Sequence, residues 1–559
     1  MNLKPLHVGI IGGGASGLVT LKELLAEGHD GIVFEKSDVI GGLFQTVYQQ
    51  GYMVSSNVVT MFSDFVGLEQ DKNDLLEKPR MWSFIEYSKY LNDYAEHFRL
   101  RPYIKFQTCV QSVWKNVTTN KWNIKVKSVV DEKEAIYTFD RIAVCSGTHQ
   151  KRNMPSFKGQ HLYKGTIKHL QDIRKYEDFT DKRLCIVGSG EGGSDITLAA
   201  AKYGKKTYLS IRKDHGFILP RYPNGPFYPS DLGTTRAIHS IPRAHGLLHT
   251  YLYIFFNLIA SYIKGIRTVE DKVQRASLYM NLKQIKTSNW MNTYGTKNTS
   301  FVEAMVEYKC ERKPAIKELT EHKVTFDDGT EEEIDEIVCC TGFISEFSFL
   351  EIGDKQADPM HAELVRKVAY DARIPHDLYK HCVHPHFGDE LFFIGFVRPA
   401  FGAIPPLAEM QARWYALLCS NKLALPDKET MIEESKTYVK YIEWQLTPYR
   451  TNRIVNLTDF VIYSDDLART IGCRPHLVKM FFSDPSLWLK CMCGPIMNAQ
   501  YRLVGPHSKS DQARQIIKQV RWLKHLNLVS LFLLYVHAFI WFCGLKSHQP
   551  STWYPISAP

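Results

Sequence analysis

The 559-residue sequence predicts an α/β fold, with two doubly wound parallel-sheet units on one chain. Three observations predict it. A glycine-spaced turn near the N-terminus joins an apolar strand-like run to an amphipathic helix-like run, and the same arrangement recurs after Arg183. The strands that follow the two turns end in residues of opposite charge. The length agrees, because a single hydrophobic core stops growing at roughly 250–300 residues, so two or three domains are expected.

In the first unit Val8–Ile11 is short and apolar enough to be a buried parallel strand. Gly12, Gly14 and Gly17 follow in the G-x-G-x-x-G spacing, and Leu18–Ala26 has helical amphipathicity. Gly12 permits the tight turn, Gly14 lets a pyrophosphate approach the backbone, and Gly17 lets helix and strand pack closely. The helix N-terminus offers unpaired N–H groups and a partial positive charge to phosphate. A second strand, Gly31–Phe34, ends on Glu35, where a carboxylate accepts hydrogen bonds from ribose hydroxyls. An acid here selects an unphosphorylated ribose, FAD or NAD. The position at the extreme N-terminus, with Gly41 and Gly42 following, favours FAD.

The stretch from Met81 to Phe98 is expected to be a helix with aromatics on one face, Ile104–Val113 and Trp122–Val129 to be strands, and Asp140–Gly147 to close this region. The second unit then opens with Leu184–Val187, turns through Gly188, Gly190 and Gly193, and continues as a helix over Ser194–Lys202 that stops at Gly204. Its next strand, Thr207–Ser210, runs into Ile211, Arg212 and Lys213 instead of an acid. A carboxylate would repel a ribose 2′-phosphate, whereas Arg212 and Lys213 neutralise it, so the second nucleotide reads as NADP(H). The fold class is therefore two Rossmann-like dinucleotide-binding domains, one for FAD and one for NADP.

Residues 217–295 read as an insertion in the second domain, and within it Leu247–Ile263 is apolar on nearly all faces. That segment is short for a membrane span, and a buried helix and a membrane-surface helix both remain open readings. Val324–Thr330 is a hairpin signal. The run Glu336–Phe343, with Thr341 and Gly342, repeats the strand-into-glycine pattern and is expected to return the chain to the first domain. Leu391–Gly395 reads as a buried strand leading to a helix over Leu407–Leu418. The division expected is 1–155 and 335–445 for the FAD domain, 156–334 for the NADP domain, 446–525 as a C-terminal packing region, and 526–545 as a transmembrane tail.

Composition bounds the rest. A hydrophobic fraction of 44% and a charged fraction of 23% are ordinary for a folded protein. The formal charge of +10 is modest, and no basic-aromatic cluster argues for nucleic acid. Twelve scattered cysteines fit a reducing compartment. Cys491-x-Cys493 lacks a partner pair, so no metal site is expected. Leu526–Leu545 is free of formal charge over about 20 residues, the length that crosses a hydrocarbon core, with Arg521, Lys524 and Lys546 flanking it.

With these motifs assembled, the chain resembles the flavin-containing monooxygenases. The stretch Tyr163-Lys-Gly165-Thr-Ile-Lys-His169 is similar to the family's aromatic-x-Gly-x-x-x-His stretch before the second glycine unit. Glu409-Met-Gln411-Ala-Arg413-Trp414, Asp484-Pro485 and Gln500–Pro506 are similar to its C-terminal pattern. The resemblance implies that NADPH reduces FAD, oxygen adds to the flavin as a C4a-hydroperoxide that NADP⁺ protects, and a small amine or thioether takes one oxygen atom. It implies Thr341, Gly342 and Gln411 among the cofactor contacts, His169 as a link between domains, and Asn57 as the asparagine near the flavin. It also implies a tail anchor in the endoplasmic reticulum membrane, with the catalytic part facing the cytosol. Glu191 departs from the family pattern, and beside a pyrophosphate it is repulsive unless its side chain turns away or is paired. Baeyer–Villiger and N-hydroxylating enzymes share both glycine units and stay as alternatives, as does a flavin-binding scaffold without catalysis. Disulfide reductases need a cysteine pair after the first Gly-Gly, and residues 42–51 hold none.

Overall fold

A computed structural model describes residues 4–46, 48, 50–212, 215–223, 227–239, 243–286, 295–352, 357–399, 402–446, 457–522, 532 and 535–536. Along the chain, strand β1 (His7–Ile11), helix α1 (Ala15–Ala26) and strand β2 (Asp30–Phe34) form the first glycine unit. Helix α2 (Phe84–His97) and strands β3 (Ile104–Lys105) and β4 (Arg141–Val144) follow. The second unit comprises β5 (Thr166–His169), β6 (Arg183–Val187), α3 (Glu191–Tyr203) and β7 (Lys206–Ser210). The insertion contributes α4 (Arg243–Lys264) and α5 (Val269–Lys286). Strands β8 (Glu311–Lys313), β9 (Glu336–Cys339) and β10 (Leu391–Phe393) then lead to α6 (Ile404–Cys419). The C-terminal helices include α7 (Lys428–Leu446), α8 (Phe460–Ile471), α9 (Leu477–Ser483) and α10 (Pro485–Cys493).

Two five-stranded parallel sheets result, ordered β10-β4-β1-β2-β3 and β5-β9-β6-β7-β8. In each sheet the strand before the glycine turn is central. The core follows from continuous apolar runs: Val8, Ile10, Ala143, Phe392 and Ile394 are fully buried, and so are Leu18, Leu21 and Leu24 on α1. Helix α1 is covered in turn by α6, whose residues from Pro405 to Cys419 are all buried. Pro405 and Pro406 occupy the first turn of α6, where a missing N–H breaks no intrahelical bond.

Three expectations need correction. The helix placed at Met81–Phe98 begins at Phe84, because Ser83 caps it reciprocally with Glu86 while Met81–Ser83 is a strand. The strand placed at Ile104–Val113 is two strands, broken where Gln107 takes φ +51°. The chain does not leave the second domain at residue 335. β9 pairs in parallel with both β5 and β6, so its fully buried Glu-Ile-Val-Cys run belongs to the second sheet, and the return to the first domain falls after Cys339. The two strands of that return, Lys151–Arg152 and Phe343–Ile344, pair antiparallel between the domains.

The insertion closes at its base. Leu219 donates to the Thr296 carbonyl at 2.8 Å, and Thr296 donates to the Phe217 carbonyl at 2.7 Å. Of the tail at 526–545, only Phe532, Tyr535 and Val536 are among the described residues, so that expectation lies almost wholly outside them. Among the described residues, no helix is long and apolar enough to cross a membrane.

Candidate functional site

The two glycine turns are built alike. Gly12 has φ +108°, and a Cβ there would meet the Cys145 carbonyl oxygen at 2.6 Å. A Cβ on Gly17 would lie 1.9 Å from the Gly12 carbonyl oxygen, which is a collision with backbone. In the second turn Gly188 has φ +104°, and a Cβ on Gly193 would lie 2.1 Å from the Gly188 carbonyl oxygen. These glycines are demanded by the chain itself, with no ligand needed to explain them. Gly14, Gly42 and Gly190 differ. Gly42, at φ +59°, faces Gly14 so closely that its Cβ would stand 3.4 Å from the Gly14 Cα, and Gly190 has nothing within 4 Å of a Cβ. Gly14 and Gly190, at ordinary φ and with no close neighbour at a Cβ, are glycines that the backbone does not require, and at a helix N-terminus they leave the cradle in which a pyrophosphate contacts backbone. Both units therefore fit a dinucleotide.

The ends of the second strands separate the units. Glu35 is buried, and its carboxylate accepts from Gly13 N at 2.7 Å, Ser37 N at 2.8 Å and Ser37 Oγ at 2.9 Å. This fixes a negative charge against the turn. At the second unit Ser210 is buried and donates to the Pro314 carbonyl at 2.8 Å, so its hydroxyl holds the neighbouring strand end. Arg212 is exposed beyond it, and Lys213 lies outside the described residues.

Glu191 resolves as paired. Its carboxylate turns back to accept from Thr296 Oγ1 at 2.8 Å and from Lys297 N at 2.8 Å. Burial raises its pKa, partly opposed by those two hydrogen bonds. The acid thus ties the second glycine turn to the base of the insertion.

Asn57 is fully buried, and three hydrogen bonds hold it against the 75–80 segment. Its Nδ2 donates to the Leu75 carbonyl at 2.7 Å, its Oδ1 accepts from Arg80 N at 2.9 Å, and its own N–H donates to the Arg80 carbonyl at 2.9 Å. One Nδ2 hydrogen is not used in these bonds.

A family model described as flavin-binding monooxygenase-like matches residues 6–531. The chain belongs to that family. It is 31% identical to a 4-hydroxybenzoate brominase (decarboxylating) from Pseudoalteromonas luteoviolacea, over 91% of this chain and 92% of that protein. It is 28% identical to human flavin-containing monooxygenase 5, over 91% of each chain. In fold it is similar to S-allyl-L-cysteine S-oxygenase from Allium sativum, with a TM-score of 0.56 and 20% identity over 96% of this chain and all of that one. The protein is accordingly a flavin-dependent monooxygenase with FAD and NADP(H) as cofactors.

The remaining family-pattern residues act one layer behind the two turns. Gln411 is fully buried, accepting from Gly395 N at 2.8 Å and donating to Tyr463 Oη at 2.7 Å, so it fixes the loop after β10. Thr341 donates to the Asn153 carbonyl, and the Gly342 carbonyl accepts from Asn153 N and contacts His169 Nε2, each at 3.0 Å. These residues fasten the interdomain crossing, and His169 does so with its ring against Phe343.

Against the second half of α1 lies a buried ionic knot that draws Glu409 and Arg502 from the C-terminal family motifs. Arg502 donates to Glu23 at 2.6 Å and Glu409 at 3.0 Å, and Lys22 pairs with Asp64 at 2.6 Å and Glu23 at 2.9 Å. Burial pushes the Glu23 and Asp64 carboxyls up, but the Arg502 and Lys22 charges outweigh it and hold both below the usual range.

Two functional candidates carry no sequence signal. Asp231, from the insertion, is buried and accepts from Ser56 N at 2.6 Å, while its Oδ1 and the Ser56 hydroxyl have no partner among the described residues. Burial raises the Asp231 pKa and lowers that of Lys297, and each is opposed by the charge of the other. Asp231 meets the backbone next to Asn57 at Ser56, and the Lys297 N–H meets the second turn's helix at Glu191. Isolated residues in an insertion have no spacing by which to find them. A cavity of about 530 Å³, lined by Tyr52 and Met81 of the first domain, Arg221 and Glu270 of the insertion, and Asn298 and Ser300 of the second, opens beside α3. Among the described residues no cluster of histidine, cysteine or acid groups suits a metal.

Proposed function

We propose that the protein uses NADPH and oxygen to N- or S-oxygenate small soft nucleophiles, amines or thioethers. The observation that carries this reading is the pairing of two like-built glycine turns with Glu35 at one strand end and Arg212 at the other. Bound FAD, reduced by NADPH, supplies the oxygen-activating chemistry. The chain's part is to seat and orient. Gly14 and Gly42 cradle the FAD pyrophosphate, Glu35 takes its ribose, and Gly190 leaves room for the NADP pyrophosphate. Arg212, with Lys213, neutralises the 2′-phosphate. Asn57 offers its unused amide hydrogen as a donor that does not titrate, and Thr341, Gly342 and Gln411 keep the loops at the junction in place. Water exclusion falls to the insertion, which brings Asp231 against Ser56. The uncharged stretch 526–545 is read as a tether to the endoplasmic reticulum membrane, on its length and basic flanks.

The test is NADPH-dependent oxygen uptake with a tertiary amine and a thioether, with products identified by mass. An N-oxide or sulfoxide supports the reading. An ester formed from a ketone favours a Baeyer–Villiger enzyme, and uptake no faster than free flavin favours a scaffold. The 31% identity to the brominase favours one second reading, because bromide is also a soft nucleophile that an electrophilic oxygen oxidises. Bromide with a phenolic acid, assayed for bromophenol, separates it from the first.

A further inference from the structure

We propose that Tyr48 of the first domain and Asp195 of the second are positioning residues whose hydrogen bond sets the separation of flavin and nicotinamide. The inference rests on the reading that Gly42 and Gly190 seat the two nucleotides.

Each end of this bond stands close to one helical turn from a glycine of its own seat. After Gly42 the chain forms a short helix, Leu43–Thr46, and then reaches Tyr48. Gly190 caps α3, and Asp195 lies one turn into that helix. Tyr48 Oη donates to Asp195 Oδ2 at 3.1 Å. By sequence the tyrosine belongs to the first domain, yet it is buried in one cluster with Ile173, Phe179 and Ile196 of the second. Its ring lies between Phe84 of α2 and Tyr176 of the second domain, with centroids 5.5 and 5.9 Å away. Its hydroxyl reaches the second turn itself, since a Cβ on Gly192 would stand 3.6 Å from it. Burial, reinforced by the Asp195 charge, pushes the Tyr48 pKa well above its ordinary value, so the hydroxyl stays a donor.

Asp195 is a fixed target. It accepts from Asn298 Nδ2 at 2.7 Å and from Arg221 Nη2 at 3.1 Å, and the Arg221 charge compensates the nearly buried carboxylate. Other contacts from this part of the first domain end elsewhere. Ser56 N donates to Asp231 at 2.6 Å and Met81 N to Tyr222 Oη at 2.8 Å, and both partners belong to the insertion, not to the helix that carries the turn. A ring needed only to fill the core would serve as well without its hydroxyl. A hydroxyl aimed at a carboxylate that two other donors already hold is a distance constraint between the seats. Hydride transfer depends on that distance: one proton and two electrons pass from NADPH, which becomes NADP⁺, to FAD, which is reduced, and a misplacement of about 1 Å costs on the order of a hundredfold.

The test is Tyr48→Phe in the full chain loaded with FAD, which keeps the ring and leaves Asp195 its bonds to Arg221 and Asn298. The rate constant of flavin reduction at saturating NADPH should fall on the order of tenfold, while the Kd for NADP⁺ changes by less than about twofold. A second readout needs no turnover. With the flavin reduced by dithionite, saturating NADP⁺ should give a long-wavelength charge-transfer absorbance in the wild type and a weaker one in Tyr48→Phe. A wild-type rate and band in the variant overturn the proposal. So does weaker NADP⁺ binding with an unchanged rate at saturation, which assigns the pair to affinity. Equal slowing in Tyr87→Phe, which removes a buried α2 hydroxyl without a partner among the described residues, overturns it too. A wild type that binds NADP⁺ and gives no band refutes the seating of the two nucleotides and the proposal with it, a failure visible before any variant is made.

Discussion

The two glycine turns have nearly the same backbone and different surroundings. In both, the third glycine is imposed by a collision with the turn's own carbonyl, at 1.9 Å for Gly17 and 2.1 Å for Gly193, and the first by a positive φ and the carbonyl of a neighbouring strand end, Cys145 for Gly12 and Cys340 for Gly188. The first helix is then locked from behind, since Lys22 and Glu23 of α1 belong to the ionic knot with Asp64, Glu409 and Arg502. The second helix is tied to the insertion instead, by Asp195 with Arg221 at 3.1 Å and by Glu191 with Thr296 and Lys297. The difference teaches that one turn geometry can rest on two kinds of support. The first is buried and rigid, and the second is attached to a segment that borders the cavity.

The sharpest way to break the comparison is Gly17→Val, whose side chain collides with backbone oxygen. It should abolish FAD retention, measured as flavin absorbance per chain after purification. Arg502→Met strikes the support of the first unit only. It removes the cation shared by three buried carboxylates, leaving Lys22 and Lys509 as the lysines paired with them, and should cost about 3–5 kcal/mol of stability, with FAD lost at a lower temperature in a melt. The pH dependence has a definite sign. Glu23 is held near 2 in the folded chain against an ordinary 4.5, so its stabilisation is present above 4.5 and is lost as pH falls toward 2. The deficit of Arg502→Met should therefore narrow over that window. Asn57→Ala strands the Arg80 N–H and the Leu75 carbonyl and should cost about 1–3 kcal/mol, seen as a lower denaturation midpoint beside any change in turnover. Gly190→Ala is the gentlest, since a Cβ there meets nothing within 4 Å. It should leave the melting temperature unchanged and raise KM for NADPH, which separates a glycine kept for the ligand from one kept for the fold.

How much of this was legible in the sequence follows from the range of each interaction. The glycine turns, the strands beside them and the acid at Glu35 depend on residues within about 30 positions, so spacing reveals them. The capping box at Ser83 and Glu86 is equally local, but the apolar period runs on through it and hides the helix start. Glu191 was legible as a conflict but not as a resolution, for its partners Thr296 and Lys297 lie across the whole insertion. Asp231 against Ser56 is longer in range still, and no motif holds either residue. The misplaced return at residue 335 has the same origin. A buried Glu-Ile-Val-Cys strand satisfies either sheet, and only the pairing with β5 and β6 decides between them.

The central claim, that strand-end charge distinguishes two otherwise similar nucleotide seats, is tested most directly by the rate of flavin reduction with NADPH and with NADH, in the wild type and in Arg212→Ala. Loss of one charged phosphate contact is worth on the order of tenfold. The account predicts that the KM for NADPH rises about tenfold while reduction by NADH is unchanged. An unaltered preference between the two nucleotides would contradict it.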